Sequence, residues 1–536
     1  MRTPLGVQAL ACPLRRLVAP ACWAAFALVC YGPLVGFLGE LGQETAGPSG
    51  ADLWARRLGL LWTSFYVAGV ATLAAVILGA PVGALLSRLR VPGRRALLAL
   101  CAAVLVVPPY VFGIAWLAAF GARGAWIAGA ETALQPAWDP YQAWTAALVL
   151  AWAYFPLVVL CTWASLRAIP PEREAEALLH TGPIRTLWFV SLREARDGVL
   201  LGAGLVFLLA WTDFTVPDLF RTRVYAAEVF TEFSAFYGLG PASRSLAPLV
   251  LGAALVLCAF VVREDRAAFR QAGGRASAPP LPLWGAARWL AAGAWLVVLG
   301  LLLLPVVILF QRALPLEDFG LAWKAAGPEL RQTLTTSFYA AALAGLLGYG
   351  CAVLIVPHPW RRRRWLEGLT LLPLFVPAPA VGIGLIRLWN RHGGMGEVYQ
   401  SEAILVLAAC ARFLPLAVLA WARGLARVPR ALYDAGRLDG LSGWAWQRHV
   451  ALPAAWRHGL AGMALVFAWS VGELGASLLV APPGASTLSI RIFTLLHYGA
   501  DRMVAALCVL VVASIALPGF LAALALVGRR RFSLSR

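Results

Sequence analysis

Two polar segments hold the residues whose types and spacing suggest a purpose. Ala431 to Pro453 reads ALYDAGRLDGLSGWAWQRHVALP and sits between two long apolar runs. A weaker copy, Arg173 to Arg193, reads REAEALLHTGPIRTLWFVSLR. Asp434-Ala435-Gly436, Gly440, Val450 and Leu452-Pro453 align without a gap on Glu174-Ala175-Glu176, His180, Val190 and Leu192-Arg193. This pattern suits docking rather than bond-making. A carboxylate faces a basic partner, and small residues at 435 and 436 let it come close. Gly440 takes a positive φ without steric cost and ends a short helix. Pro453 fits the first turn of the helix that follows. An amphipathic connector on the membrane surface would explain one such segment, but two aligned copies argue for a shared role.

Other candidates lie within the apolar runs. Asp213 and Glu473 occupy matching places near the outer ends of two of them. An ionisable group at that depth is costly, so it either lines a wet pathway or is satisfied by helix-end amides or a neighbouring Arg. Pro108-Pro109 and Pro377 with Pro379 interrupt two further runs, removing intrahelical hydrogen bonds. Such breaks serve as gates in transporters, and proline is also simply tolerated in membrane helices. No catalytic residues are identified: there is no nucleophile–base arrangement and no phosphate-binding G-x-x-x-x-G-K-[ST] motif. The one lysine, Lys324, falls in an external loop. The histidines do not cluster, and the cysteines are scattered singly, mostly within apolar runs. No metal site is expected, and Cys101, Cys161, Cys258, Cys351, Cys410 and Cys508 read as small core residues.

The elements that position these residues are membrane helices. The chain has 536 residues, 61% hydrophobic and 13% charged, with mean hydropathy +0.75; soluble domains are about 45–50% apolar and about 25% charged. The net charge of +19 is nearly all Arg placed between apolar runs. That is the positive-inside pattern, not a nucleic-acid footprint. Arg88, Arg90, Arg94 and Arg95 mark one cytoplasmic loop, and Arg361–Arg364 read as a headgroup-facing anchor.

We expect an all-α polytopic protein of about twelve spans, at about 17–39, 58–86, 96–120, 143–166, 198–217, 245–263, 289–310, 334–356, 365–389, 403–422, 458–480 and 503–527. The first run is too long for a signal-peptide core and reads as an uncleaved helix. The even count and the tail Arg529-Arg530-Arg531 put both termini in the cytoplasm.

The order repeats. Thr63-Ser64-Phe65-Tyr66 recurs as Thr336-Ser337-Phe338-Tyr339. Val107-Pro108 and Gly113-Ile114 recur as Val376-Pro377 and Gly382-Ile383. Leu205-Val206-Phe207 with Asp213 recurs as Leu465-Val466-Phe467 with Glu473. Residues 1–262 thus form a first half and 284–536 a second, joined by a basic and Ala/Gly/Pro-rich cytoplasmic linker at 263–283. Two six-helix repeats of one orientation imply a pseudo-twofold axis along the membrane normal, with a cleft between them.

The polar segments resemble the EAA loop of ATP-binding-cassette importer permeases. The match rests on Asp434-Ala435-Gly436-x3-Gly440-x9-Val450-x-Leu452-Pro453 and the degenerate Glu174-Ala175-Glu176 copy. In that family the loop is the coupling helix that enters a cleft of the ATPase. The first copy departs at His180 and Arg193, with Gly182 as a substitute turn residue, so the second is expected to make the more regular contact. The resemblance implies ATPase docking by Glu174, Ala175, Glu176, His180, Asp434, Ala435, Gly436, Gly440 and Pro453. Asp213, Glu473, Pro108 and Pro377 become pathway or gate residues. It also implies an ATPase dimer carrying ATP and Mg, a periplasmic or lipid-anchored substrate-binding protein, and the bacterial inner membrane. The chain itself would bind no cofactor and catalyse nothing.

Val216-Pro217-Asp218, the run after Glu473, Thr494 to Gly499 and the fused halves resemble the ferric iron branch. Thiamine, organophosphonate, sulfate and polyamine permeases share much of the pattern. A secondary transporter or channel without an ATPase is the alternative of another class, but it would need coupling charges that these spans lack.

Overall fold

The computed structural model describes residues 18–39, 51–89, 91–121, 139, 141–169, 171–182, 185–236, 239–263, 286–441, 443–498 and 501–532. Among them the fold is helical. In chain order the helices used below are α1 (Ala19–Phe26), α2 (Gly32–Gly39), α3 (Ala51–Arg88), α4 (Arg94–Val104), α5 (Pro109–Phe120), α6 (Ala143–Leu166), α7 (Pro171–His180), α8 (Arg196–Thr212), α9 (Thr215–Leu219), α10 (Tyr225–Phe236) and α11 (Leu239–Arg263). There follow α12 (Ala286–Arg312), α13 (Leu316–Ile355), α14 (Trp360–Leu371), α15 (Ala378–Trp389), α16 (Ala403–Ala426), α17 (Arg430–Leu438), α18 (Leu452–Val471), α19 (Ser477–Val480), α20 (Leu488–His497) and α21 (Asp501–Phe532).

Among the described residues, eight helices are long and apolar enough to cross a membrane, and three sharply bent pairs, each taken as one span, bring the total to 11. The sixth expected span falls on α11, whose apolar stretch, Leu246–Ala259, is shorter. The span expected at 143–166 coincides with α6. The expected linker lies mostly outside the described residues, as does the Arg529–Arg531 tail in its side chains.

Two of the bends are the proline interruptions. α4 and α5 meet at 95°, and the helical run from Arg361 to Phe375 meets α15 at 91°. Proline alone does not cause this: Pro81, Pro156 and Pro415 lie inside unbroken helices. The breaks come where the residue before a proline is extended, as steric clash with the ring favours. Pro108, ahead of Pro109, has ψ 138°. Val376, ahead of Pro377, has ψ 131°.

The described helices form two compact units. One holds α3–α9, α12 and α21, and the other holds α1, α2, α11 and α14–α19 with α13 from Ala326 onward. The units therefore draw on both sides of the expected linker. The first helix of each sequence half lies in the unit built around the other half's polar loop. Trp23 on α1 donates to the Cys351 carbonyl at 3.2 Å, and Tyr31 donates to the Leu369 carbonyl at 2.5 Å. Correspondingly, Trp295 on α12 donates to the Pro92 carbonyl at 2.9 Å, and Trp152 on α6 donates to the Leu301 carbonyl.

At the centre of one unit α6 is enclosed by α3 and α8. Lipid offers no hydrophobic drive between helices, so close approach through small residues does the work. A Cβ on Gly79 would lie 2.8 Å from the Phe155 carbonyl, and one on Gly83 would lie 2.6 Å from the Val159 carbonyl. A Cβ on Gly202 of α8 would likewise lie 3.0 Å from the Val158 Cα. In the other unit, Gly348 of α13 and Gly462 of α18 press on the Ala417 region of α16 in the same way. Of the cysteines read as core residues, Cys101, Cys351, Cys410 and Cys508 are buried, Cys161 is half-buried and Cys258 is exposed.

The atom nearest a Cβ at Gly83 is a backbone carbonyl oxygen, that of Val159, which cannot yield cheaply. Gly83→Leu should destabilise the protein by about 1–3 kcal/mol. Gly59→Leu, on an open stretch of the same helix, should be nearly neutral. Thermal unfolding in detergent checks the contrast, and equal stability of the two variants would contradict the packing described.

Candidate functional site: two polar loops and two capped helix breaks

The two polar segments fold alike although their sequences differ. Each begins with a short helix, α7 or α17. Each then turns, passes through a π-helical turn, Thr186–Ser191 or Gln447–Ala451, and feeds a long apolar helix, α8 or α18. Pro453 stands in the first turn of α18, but it does not start the helix from a coil. The π-turn precedes it, and the first loop forms the same turn with Arg193 at that place. The main difference between the loops is a 67° bend between Thr186–Glu194 and α8, centred on Ala195.

Gly440 does what its residue type allows. Its φ is +70°, α17 ends before it, and Leu441 N–H donates to the Gly436 carbonyl at 2.8 Å. That bond, from the residue after the positive-φ glycine back to Gly436, is a Schellman closure. In the first loop α7 runs through His180, so no turn forms there. The helix closes with Thr181 instead: its N–H and hydroxyl both donate to the Ala177 carbonyl at 2.9 Å, and its hydroxyl meets that of Thr186 at 2.8 Å. Gly182 has no positive φ and open space at its Cβ position, so the turn does not require a glycine there.

The carboxylate and small residues divide unexpectedly. Ala175, Glu176, His180, Asp434, Ala435 and Pro453 are exposed. Glu174 is buried. Its Oε1 pairs with Arg88 Nε at 2.7 Å and accepts from the Ser191 hydroxyl at 2.6 Å. Arg88 is also buried and donates to the Leu166 carbonyl at the end of α6. The arginine read as a loop marker is thus the clamp that ties α7 to the ends of α3 and α6.

Gly436 is also buried, because Trp446 covers it: a Cβ there would lie 3.0 Å from Trp446 Cδ1. Its lack of a side chain serves packing within the loop. Trp446 belongs to an apolar cluster with Trp421, Leu425 and Ala455. Tyr349 of α13 stacks edge-on against Trp421, with centroids 4.9 Å apart, and donates to Gln447 Oε1. One loop is therefore held by a buried ion pair and the other by aromatic packing with a neutral hydrogen bond.

Asp213 and Glu473 sit where α8 and α18 end. Asp213 Oδ1 accepts from Val216 N–H at 2.9 Å and the Thr215 hydroxyl at 3.0 Å, capping α9. Glu473 is buried and accepts from Ala476 N–H at 2.9 Å, Ser477 N–H at 2.8 Å and the Ser477 hydroxyl at 2.5 Å. Arg412 of α16 donates to it at 2.8 Å. The sequence left open a wet pathway or a carboxylate satisfied by helix-end amides or a neighbouring Arg, and Glu473 has partners of both the latter kinds. Among the described residues, no three His, Cys, Asp or Glu side chains converge as metal ligands. Of the anchor block, Arg363 is buried, donating to Glu367 at 2.8 Å, whereas Arg361 and Arg362 are exposed.

Removing one partner of a buried ion pair strands the other charge. Glu174→Gln should therefore cost about 3 kcal/mol or more, and Arg88→Met with Glu174→Leu together should cost less than the sum of the single changes. Thermal unfolding of the three variants measures this. Additive losses would contradict the pairing.

Residues 344–532 match the family model of the binding-protein-dependent transport system inner membrane component. The PhnV permease of Salmonella typhimurium, assigned by its name to 2-aminoethylphosphonate transport, is 30% identical over 197 residues, 36% of this chain and 71% of that one. The thiamine transport system permease protein ThiP of the same organism is 27% identical over 484 residues, 83% of this chain and 85% of its own. The Fe(3+)-transport system permease protein FbpB 2 of Haemophilus influenzae is 22% identical over 360 residues, 65% of this chain and 70% of its own. The multi-pass helices, the paired loops and these matches together identify the chain as a member of the binding-protein-dependent transport system inner membrane component family, the permease component of an importer.

Proposed function

We propose that the two polar loops are the docking elements for a cytoplasmic ATP-binding-cassette ATPase dimer, which supplies ATP and Mg chemistry to a chain that performs none itself. The observation that carries this is the duplicated loop: two segments of different sequence fold into the same short helix, turn and π-turn. Each leaves polar and small residues exposed, Ala175, Glu176 and His180 in one and Asp434 and Ala435 in the other. Glu174 and Gly436 hold the loops in shape from inside. An ATPase that grips two conformations with different affinity shifts the balance between them, and the loops are where that grip would be applied. Pro108 and Pro377, at the two sharp bends, are proposed gate points. A soluble or lipid-anchored binding protein would deliver solute from the periplasmic side of a bacterial inner membrane, with both termini cytoplasmic. A transporter working without an ATPase would leave the duplicated loops without a role.

For the solute, ferric iron follows from the sequence resemblance and from the attraction of a trivalent cation to carboxylates. Both carboxylates in question are committed to helix caps, and Glu473 is also paired with Arg412. That weakens the electrostatic case for iron. A relative that matches along 83% of this chain and 85% of its own is named for thiamine, and one that matches along 65% and 70% is named for Fe(3+), so we rank thiamine or a similar organic cation first and ferric iron second.

Gly440→Pro tests the docking reading, because proline cannot adopt φ +70°. The variant should insert into the membrane normally yet lose stimulated ATP hydrolysis and uptake in vesicles reconstituted with the ATPase and binding protein. Unchanged uptake would refute the docking assignment. Radiolabelled thiamine and ferric iron, offered to the same vesicles, separate the two solutes.

A further inference from the structure

Asp213 and Glu473 do more than cap. Six residues after each acid stands a leucine, Leu219 and Leu479, at the end of or within the short helix that the acid caps. Each leucine lies over a glycine of the second limb of a proline-broken helix. A Cβ on Gly113 of α5 would meet Leu219 Cδ1 at 2.9 Å, and a Cβ on Gly382 of α15 would meet Leu479 Cδ1 at 2.8 Å. The two glycines are repeat equivalents in sequence. Each unit therefore contains one continuous chain of contacts. It runs from the polar loop along the long helix (α8 or α18) to the acid at its end, through the capped short helix (α9 or α19), and by leucine on glycine to the limb beyond the proline break (α5 or α15).

We propose that Asp213 with Leu219, and Glu473 with Leu479, are positioning residues that transmit displacement of each polar loop to the limb beyond the proline break. This rests on the docking role of the loops. The acid fixes the short helix to the end of the long one, because its oxygens hold amides three residues on in both units and four residues on at Glu473. The missing Cβ lets the leucine seat closely against the limb. The same acid-to-leucine spacing and glycine seat in both units argue against a chance contact. Arg412 adds a brace in one unit, tying Glu473 to α16. On this account the acids handle movement and not cargo.

The test uses the full chain with its ATPase and binding protein in vesicles, reading ATPase co-purification, ATP hydrolysis and solute uptake per ATP. Leu479→Ala and Glu473→Asp, which keeps the charge facing Arg412 but shortens its reach, should retain the ATPase and hydrolyse ATP at close to the normal rate, while uptake per ATP falls at least about 5-fold. A purely structural role would lower hydrolysis and uptake together as folded protein is lost. That result, or normal uptake per ATP in both variants, would overturn the proposal. Leu219→Ala repeats the test in the other unit, so poor folding of one variant does not decide the matter. If the unaltered chain captures no ATPase, the docking reading fails first and this inference fails with it, a result distinct from uncoupling in the variants alone.

Discussion

Backbone that leaves a helix within a membrane must find its hydrogen-bond partners inside the protein, since lipid offers none. This constraint shapes the structure at its breaks. Where α8 and α18 end, the amides of the next short helices are exposed to that demand, and Asp213 and Glu473 meet it. The carboxylates are affordable at such depth because each is hydrogen-bonded to amide dipoles, and Glu473 also to a guanidinium. Without the caps the short helices would have no fixed direction, and the limbs α5 and α15 would lose the surface they rest on. The proline breaks and the acids are thus two parts of one solution, and it occurs twice.

The polar loops show the same economy with different means. One is secured by Arg88, Glu174 and Ser191, the other by Trp446 packed over Gly436 and Tyr349 on Gln447. Both expose small and polar residues, Ala175 and Glu176 in one and Asp434 and Ala435 in the other, beside large apolar ones, Leu179 and Leu438. An interior that varies while the outer form is kept is what a repeated surface for a common partner requires. The 67° bend at Ala195, rather than the residues at 180 and 193, is where the loops diverge most.

Much of this was legible in the sequence. Apolar runs near 20 residues long located the helices, and α6 fell on its expected span. Val107-Pro108 and Val376-Pro377 marked the breaks, because a proline disfavours a helical conformation at the residue before it, although Pro81, Pro156 and Pro415 sit inside unbroken helices. The positive φ of Gly440 followed from its place after a short amphipathic helix. What stayed hidden depends on distant contacts. Nothing near Arg88 in sequence reveals that it turns inward to Glu174 rather than out to headgroups. Gly436 reads as room for a partner until Trp446 is seen above it. The placement of α1 and α12 in units built around the opposite loops has no local signal, since a membrane helix reads the same whichever neighbours it packs on. The Asp213–Leu219 and Glu473–Leu479 spacing was present in the sequence, but only the geometry at Gly113 and Gly382 gave it meaning.

The central claim is that the two loops are where an ATPase grips this chain. The most direct measurement places single reactive cysteines at the exposed positions 175 and 435, in a background lacking the native cysteines, and records cross-linking to the co-expressed ATPase. The account predicts cross-links from both positions and none from position 324, expected in an external loop but lying in the first turns of α13. ATPase cross-links from 324 but not from 175 or 435 would contradict it.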